Sequence, residues 1–214
     1  MTGLVLASGS PRRRDILTTL GLQFDVRRPD VDETLRPGEK ADSAARRLAE
    51  EKATAVEADP DELVIAADTI VVLDGELLGK PSGPEEAAVM LGRLAGRCHD
   101  VITGLAVRLG ADTRSVTART SVRFRSLDPA EIAAYVATGE PLDKAGAYGI
   151  QGYGSALVER IEGDFFNVMG LPVPALLALL HATGYRYLYR DLVPHEVASE
   201  SDRKVAAEEH EHER

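Results

Sequence analysis

The pattern of apolar and polar residues along the chain predicts a mixture of strands and helices. Leu4–Ala7 is a short apolar run typical of a buried strand, and Pro11 after the following turn favours the start of a helix. Leu63–Leu73 predicts a long strand, and the Asp74-Gly75 pair that follows it is a favoured two-residue hairpin turn. Because strands and helices do not alternate strictly, we expect an α/β fold with a mixed central sheet flanked by helices.

Similar periodicity continues to about residue 194, and we expect residues 1–194 to form a single domain. Residues 195–214 are charged and lack periodic apolar positions, which predicts an acidic, disordered tail. Further helices are predicted over about 42–56, 85–94, 129–139 and 173–183, and antiparallel strands over about 101–109 and 115–124.

Composition and charge narrow the range of partners. The chain has 214 residues, of which 44% are hydrophobic and 28% charged, the ordinary balance of a globular protein. Its formal net charge is -10. A chain this acidic lacks the positive field on which non-specific nucleic-acid binding depends, so we expect no nucleic-acid partner. A single cysteine, the lack of a secretory signal pattern and the lack of a membrane-spanning apolar run predict a cytoplasmic protein without a membrane partner.

The start of the first predicted helix combines a small-residue loop with a cluster of arginines. Ser8-Gly9-Ser10 would let a ligand approach the free backbone N–H groups of the helix start, which is a common anion site. Arg12, Arg13 and Arg14 add three cations to the first turn, where they oppose the helix dipole unless an anion is bound. A phosphate site and a solvated basic helix end are both compatible with this pattern.

Asp68 interrupts the apolar run of the long predicted strand. An ionised carboxylate is costly there unless it is paired, protonated or metal-bound, so a general base, a metal ligand and a structural ion pair all remain open. The hairpin register pairs Leu73 with Glu76 and sets Thr69 opposite Lys80. Lys80 is therefore expected to lie beside Asp68 and Thr69.

Three further residues are weaker candidates when each is taken alone. Lys52 falls in the apolar stripe of the second predicted helix, where spacing favours a buried stem with the amine reaching water. Glu33 lies in a segment without helix or strand periodicity and is, from spacing alone, a loop acid. Gln151 lies in the glycine-rich segment 143–152, where its amide could meet the imide edge of uracil or thymine. A conformationally demanding structural loop is the alternative for that segment.

Seven short motifs occur in order along the chain. They are LASGSPRR at 6–13, VDE at 31–33, EKA at 51–53, ADT at 67–69, GKP at 79–81, KAGAYGIQG at 144–152 and VMGLP at 168–172. Together they resemble the Maf family of nucleotide pyrophosphatases, and the resemblance runs from Leu4 to about Tyr189. Each motif is weak by itself, but seven in the same order argue against a chance match.

The resemblance implies a fold, a reaction and an assembly. The implied fold is like that of inosine triphosphate pyrophosphatases, with a deep cleft between two lobes, and the implied assembly is a homodimer. The implied reaction is hydrolysis of a nucleoside triphosphate at the α-phosphorus, with a divalent metal cation, Mg²⁺ or Mn²⁺, as cofactor. Gln151 and the ADT motif resemble the branch that acts on dTTP and UTP, with CTP and modified pyrimidine nucleotides as further candidate substrates.

The resemblance also implies roles for individual residues. Asp68 matches the proposed proton acceptor, and Glu33 matches an acid needed for activity. These two carboxylates are the expected metal ligands, since Mg²⁺ prefers carboxylates together with substrate phosphates. The expected catalytic residues are Asp68, Glu33, Lys52 and Lys80, and the expected substrate-binding residues are Ser8, Arg12, Arg13, Thr69 and Gln151.

Two other functions remain open from the sequence. One is a non-enzymatic regulator of cell division that senses nucleotides, and the other is the same hydrolysis acting on 7-methyl-GTP. A carboxylate such as Asp68 near bound phosphates favours catalysis over simple binding, because a binder gains nothing from a negative charge at that place.

Overall fold

The structure, a computed structural model, describes residues 3–195. Its main sheet has seven strands in the order β2-β1-β3-β5-β6-β7, with β4 paired to β3 as well. A separate hairpin is formed by β8 and β9. The strands are β1 (Leu4–Ala7), β2 (Asp25–Arg27), β3 (Leu63–Leu73), β4 (Glu76–Leu78), β5 (Cys98–Leu109), β6 (Asp112–Phe124), β7 (Val158–Glu162), β8 (Tyr185–Leu188) and β9 (Asp191–Pro194).

Within residues 3–195, six α-helices and three short 3-10 segments connect and cover these strands. β1 runs parallel to β2 and β3, whereas the other strand pairs of this part of the chain are antiparallel. The predicted α/β fold with a mixed sheet flanked by helices is thus confirmed. The helices are α1 (Pro11–Thr19), α2 (Ala41–Ala55), α3 (Pro84–Leu94), α4 (Pro129–Ala137), α5 (Phe165–Met169) and α6 (Val173–Ala182), and the 3-10 segments are Glu140–Asp143, Ala145–Ala147 and Gly152–Leu157.

Helices α1 and α6 pack on one face of the sheet and α2 packs on the other, and alternate side chains of β3 point to these two faces. Ile65 and Ala67 share an apolar cluster with residues of α1 and α6, whereas Val64 and Ala66 pack with alanines of α2. Burying one leucine or isoleucine side chain in such a cluster stabilises the fold by roughly 1.5–3 kcal/mol. Because successive side chains of a strand point to opposite faces, Asp68 lies on the α2 side and Thr69 on the other.

α2 lies unusually close to the sheet at Gly104 of β5. A Cβ atom on Gly104 would lie 2.0 Å from the backbone oxygen of Ala45, a distance that no side chain could tolerate. Gly104 is also the residue paired with Asp68 across β3 and β5. α2 therefore makes a close backbone approach to the sheet beside Asp68.

The predicted hairpin register is correct where the strands pair, but the ladder is shorter than expected. Leu73 pairs with Glu76, as predicted, and the last pair is Val71 with Leu78. Because β4 ends at Leu78, Thr69 has no partner opposite it in β4, and the expected pairing with Lys80 is wrong. Lys80 instead follows the strand in an irregular segment.

Several short elements were not predicted from the sequence. Strands β2, β7, β8 and β9 and helix α5 are each three to five residues long, too short to show a clear period. None of the helices that the structure describes is both long and apolar enough to cross a membrane. The expected disordered tail begins at the last described residue, and residues 196–214 lie outside the described part of the chain. The tail and the single domain 1–194 therefore stay predictions.

Candidate active site

The candidate site lies at a break in strand pairing along one edge of β3. That edge pairs with β1 as far as Ile65 and with β4 from Val71 onward, while β5 covers the opposite edge. Between them β3 has no strand neighbour on this side among the described strands, and both Asp68 and Thr69 fall in that interval. β1 ends here at Ala7, so the Ser8 loop and the start of α1 face the break.

A pocket of about 610 Å³ opens at this break. Its volume is within the range of small-molecule sites, about 300–1,000 Å³. Six cationic and three anionic side chains line it, which leaves an excess of three positive charges in a chain whose net charge is -10. The cations are Arg12, Arg13, Arg28, Lys52, Lys80 and Lys144, and the anions are Glu33, Asp68 and Asp143.

Lys52 joins the two candidate catalytic carboxylates. Its Nζ atom lies 2.5 Å from Glu33 Oε1 and 2.6 Å from Asp68 Oδ1. The Lys52 side chain is only 7% exposed, so the sequence expectation that its amine reaches water is wrong. The physical reason is that two carboxylates, from β3 and from the 28–40 segment, offset the cost of burying the ammonium group. The buried partner of Asp68 is therefore Lys52 and not Lys80.

Lys80 and Arg12 occupy more open positions around the same pocket. Lys80 Nζ lies 3.9 Å from Glu33 Oε2, and its side chain is 63% exposed. Arg12 Nη1 lies 3.9 Å from Asp143 Oδ2, and its side chain is 28% exposed. Neither cation is closely paired, so both can reorient toward an anionic ligand.

The charge state of Glu33 follows from its neighbours. Partial burial alone would raise the pKa of this carboxyl, but the hydrogen bond and charge of Lys52 oppose that effect. Lys80 and Arg13 add to the opposition, so the pKa of Glu33 lies below its usual value. Glu33 is consequently an anion at neutral pH, as a metal ligand or a partner of Lys52 must be.

Arg13 is buried, and all three nitrogens of its guanidinium group donate hydrogen bonds to other residues. Its Nε donates to the Gly170 backbone oxygen at 2.7 Å, Nη1 to Ser8 Oγ at 3.1 Å and Nη2 to Thr69 Oγ1 at 3.2 Å. Burial lowers the pKa of this guanidinium, an effect that Asp68 offsets in part. Arg13 thus ties together three sides of the pocket: the loop after β1, strand β3 and the turn after α5.

The loop after β1 is ordered by Ser8 itself. Ser8 Oγ accepts hydrogen bonds from the Ser10 backbone N–H and from Arg13, both at 3.1 Å. Arg14 points away from this arrangement, since it is exposed and does not line the pocket. Of the three predicted arginines, Arg12 and Arg13 therefore belong to the site and Arg14 does not.

The glycine-rich segment lines the pocket with residues other than Gln151. Gly149 and Ile150 are part of the lining, whereas the Gln151 side chain is exposed and lies outside it. Glu140 organises this segment, because its carboxylate accepts from the backbone N–H groups of Tyr153 and Gly154, both at 3.0 Å. No sequence pattern singles out Glu140, since its partners are close only after the segment folds back.

Behind the pocket wall, His99 and Tyr148 form a buried polar pair. His99 Nε2 lies 2.8 Å from the Tyr148 hydroxyl, and Tyr148 is one of the lining residues. Burial lowers the pKa of His99 to about 4 and raises that of the Tyr148 hydroxyl, so both are neutral near pH 7. Phe124 packs edge-on against both rings and fixes this wall.

Sequence reasoning missed three other charged residues of the pocket. Arg28 follows β2, and no salt bridge or hydrogen bond of its side chain is seen within the described residues. Asp143 and Lys144 are paired at 2.5 Å beside the glycine-rich segment. Arg28 and Lys144 lie in irregular segments and Asp143 ends a four-residue 3-10 segment, so no periodicity indicates which way these side chains face.

The carboxylates suit a divalent cation shared with a substrate. Within residues 3–195, no group of three or more His, Cys, Asp and Glu side chains could hold a metal ion without other ligands. Glu33 and Asp68 both contact the same Lys52 nitrogen, so one oxygen of each carboxylate lies within hydrogen-bond distance of a single atom. Mg²⁺ is commonly bound by one or two carboxylates together with phosphate oxygens and water, and this pair fits that donor set.

Comparison with known proteins places the chain in a family. It is 52% identical over 187 residues to the dTTP/UTP pyrophosphatase of Anaeromyxobacter sp. strain Fw109-5, covering 85% of this chain and 90% of that protein. It is also 52% identical over 187 residues to the dTTP/UTP pyrophosphatase of Moorella thermoacetica, covering 86% and 96%. A solved nucleoside-triphosphatase / dITP/XTP pyrophosphatase from Mycobacterium abscessus aligns at 12% identity with a TM-score of 0.40, covering 97% of this chain and 94% of that one. Residues 3–183 match the family described as Maf-like protein, and the chain belongs to the Maf family.

Proposed function

We propose that this protein hydrolyses dTTP and UTP to the nucleoside monophosphate and pyrophosphate. The observation that carries the proposal is the Glu33-Lys52-Asp68 cluster inside a pocket with excess positive charge. The relatives that share about half of its residues and are named dTTP/UTP pyrophosphatases support the same reaction. The non-enzymatic regulator and the 7-methyl-GTP hydrolase are the alternatives, and these relatives do not favour them.

The triphosphate is proposed to bind between the Ser8 loop and the open cations of the pocket. Arg12 and Lys80 are the two that can turn toward phosphate oxygens, because their carboxylate partners are 3.9 Å away. Arg28 adds a third cation from the segment after β2. Guanidinium groups form paired hydrogen bonds with phosphate, and charge that develops during the reaction strengthens them.

Asp68 is proposed to accept the proton of the attacking water. Only its Oδ1 atom contacts Lys52, so the second carboxylate oxygen can take the proton. The water oxygen bonds to the α-phosphorus, the bond from that phosphorus to the β-phosphate oxygen breaks, and pyrophosphate leaves with the bonding electrons. Lys52 holds the Asp68 carboxylate in place through this short ion pair.

Glu33 and Asp68 would hold a divalent cation, Mg²⁺ or Mn²⁺, in the presence of the substrate. That cation would neutralise phosphate charge and help to orient the reacting groups. Thr69 and Ser8 are proposed to contact the substrate from opposite sides, and each already accepts a hydrogen bond from Arg13. Because Arg13 uses three donors within the protein, we assign it to shaping the site as well as to substrate charge.

Gln151 is proposed to read the pyrimidine base, with CTP and modified pyrimidine nucleotides as further candidates. The support is its position directly after Gly149 and Ile150, which line the pocket, and the match of an amide to an imide edge. The family resemblance further supports a homodimer located in the cytoplasm. Light scattering on the purified chain would test the dimer.

Substrate profiling with phosphate analysis tests the proposed reaction. Purified protein with Mg²⁺ or Mn²⁺ should release pyrophosphate from UTP and dTTP, and excess chelator should abolish that release. Release of orthophosphate with a diphosphate product would refute attack at the α-phosphorus. Faster turnover of 7-methyl-GTP than of UTP would favour that alternative, and binding of nucleotide without turnover would favour the regulator.

A further inference from the structure

The segment that carries Glu33 has no regular secondary structure of its own. Residues 28–40 contain neither helix nor strand, and the Glu33 side chain is 50% exposed. A half-exposed side chain on an irregular segment is held only weakly in position by packing or by a single ion pair. The short contact between Glu33 and Lys52 therefore requires that other residues hold this segment against α2.

Arg47 of α2 supplies most of that attachment. Its Nε and Nη2 atoms donate to the two carboxylate oxygens of Glu39 at 2.8 and 2.7 Å. Nη1 donates to Glu51 at 3.0 Å, and Nη2 also donates to the Thr34 backbone oxygen at 3.4 Å. The side chains of Arg47 and Glu39 are 14% and 12% exposed, so this paired geometry is far better protected from water than Glu33.

Additional hydrogen bonds connect Glu39 with the residues close to Glu33. Asp32 Oδ1 accepts from the Thr34 backbone N–H at 2.9 Å and closes a tight turn around Glu33. Arg36 donates its backbone N–H to Glu39 at 3.2 Å and its Nη2 to Glu51 at 3.2 Å. The residues that follow Glu33 are thus bound to one surface of α2, the helix that also carries Lys52, and Asp32 on the other side is bonded to Thr34.

We propose that Arg47 is a positioning residue for the hydrolysis, which holds the 32–39 segment on α2 so that Glu33 reaches Lys52. This inference rests on the proposed function. Arg47 does not line the pocket and makes no contact with Glu33, so its influence on turnover must pass through the segment. The hydrogen bonds from Arg47 hold the pKa of Glu39 at about 2, so the attachment persists throughout the neutral range.

The matched control is Arg119 of β6. Arg119 also joins two carboxylates, Asp42 of α2 at 2.8 Å and Asp100 of β5 at 2.6 Å, and it lies outside the pocket. Arg119→Gln removes two ion pairs, one of which is made with the same helix, without releasing the Glu33 segment. Any loss of turnover that follows from weakening α2 in general should therefore appear in both Arg47→Gln and Arg119→Gln.

The experiment compares kcat, KM and melting temperature for Arg47→Gln and Arg119→Gln, each alone and combined with Glu33→Gln. Arg47→Gln should lower kcat by about 10- to 100-fold, the usual effect of losing a residue that orients a catalytic ligand. Arg47→Lys should recover part of that loss, and Arg119→Gln should stay within about twofold of wild type. In the Glu33→Gln background, Arg47→Gln should lower kcat by less than about threefold, because both changes remove the same contribution.

A full additional loss from Arg47→Gln in the Glu33→Gln background would overturn the proposal. Equal losses in Arg47→Gln and Arg119→Gln would do so as well. Hydrogen exchange of the Thr34 amide provides a readout that does not depend on activity: Arg47→Gln should accelerate it and Arg119→Gln should not. Wild-type protein without pyrophosphatase activity would refute the proposed function, and unchanged exchange at Thr34 would separately refute the attachment. Glu39→Gln, which alters only the partner on the segment, serves if Arg47→Gln does not fold.

Discussion

Replacing Asp68 by asparagine separates the proposed proton acceptor from a structural ion pair. Asparagine keeps the shape of the side chain but removes its charge and its basicity. If Asp68 accepts the proton of the attacking water, kcat should fall by about 10²- to 10⁴-fold, the usual contribution of a positioned general base. A purely structural role predicts a loss of stability with little direct effect on turnover.

The expected change in stability is small and follows from the contacts of Lys52. After Asp68→Asn, Lys52 retains Glu33 at 2.5 Å, and the amide oxygen can still accept at the position of Oδ1. The substitution exchanges a charged hydrogen bond for a neutral one, which costs about 1–2 kcal/mol. For a chain of this size, about 2–4 °C of melting temperature corresponds to each kcal/mol, so we expect a decrease of a few degrees.

Asp100→Asn is the matched control for this substitution. Asp100 also lies on a central strand and forms an ion pair at 2.6 Å, with Arg119, but it does not line the pocket. Steady-state pyrophosphate release and thermal melting should be measured for wild type and both variants. Asp100→Asn should keep wild-type kcat.

The reasoning about Asp68 fails under either of two results. Near-normal turnover of Asp68→Asn would show that Asp68 serves only as a structural ion-pair partner of Lys52. A comparable loss in Asp100→Asn would show that the assay reports weakened folding and not a missing base.

Two further predictions concern the base and the buried histidine. Gln151→Ala should reduce kcat/KM for UTP and dTTP more than for GTP and ATP, by about one order of magnitude, because the base loses its hydrogen-bond partner; an equal fall for all four nucleotides would contradict base reading. His99 has its pKa lowered by burial to about 4, so the unfolded chain binds a proton there first as the pH falls from about 6.5. Stability should therefore decrease between about pH 6.5 and 4, by up to about 3 kcal/mol, and urea unfolding of His99→Gln should lack that part of the slope.

The sequence predicted the long elements and the residue types of the site better than their contacts. β3 and Asp68 could be identified because a carboxylate interrupts a long apolar run, and the hairpin turn fixed the pairing of Leu73 with Glu76. The period of α2 placed Lys52 on the buried face, but it could not show that Asp68 lies opposite. That contact joins two elements, and only their packing on the sheet brings the two residues together.

Residues in irregular segments were the hardest to predict. Arg28 and Lys144 line the pocket although neither belongs to a periodic element, and no sequence pattern singles out Arg47. The family resemblance supplied Glu33, because its surroundings contain no helix or strand pattern. For Glu33 and Arg47, the direction of the side chain depends on contacts with another segment of the chain, which a local pattern does not encode.

The absence of a side chain at Gly104 determines how closely Lys52 and Asp68 approach each other in the candidate active site. Gly104 pairs with Asp68, and the backbone of α2 at Ala45 rests directly on it. Lys52 lies seven residues further along α2, about two helical turns, on the same buried face. A methyl group at position 104 would have to move the helix, and Lys52 would move away from Asp68 with it. A glycine with no functional group of its own thus acts as the spacer that determines whether the ammonium and the carboxylate can meet.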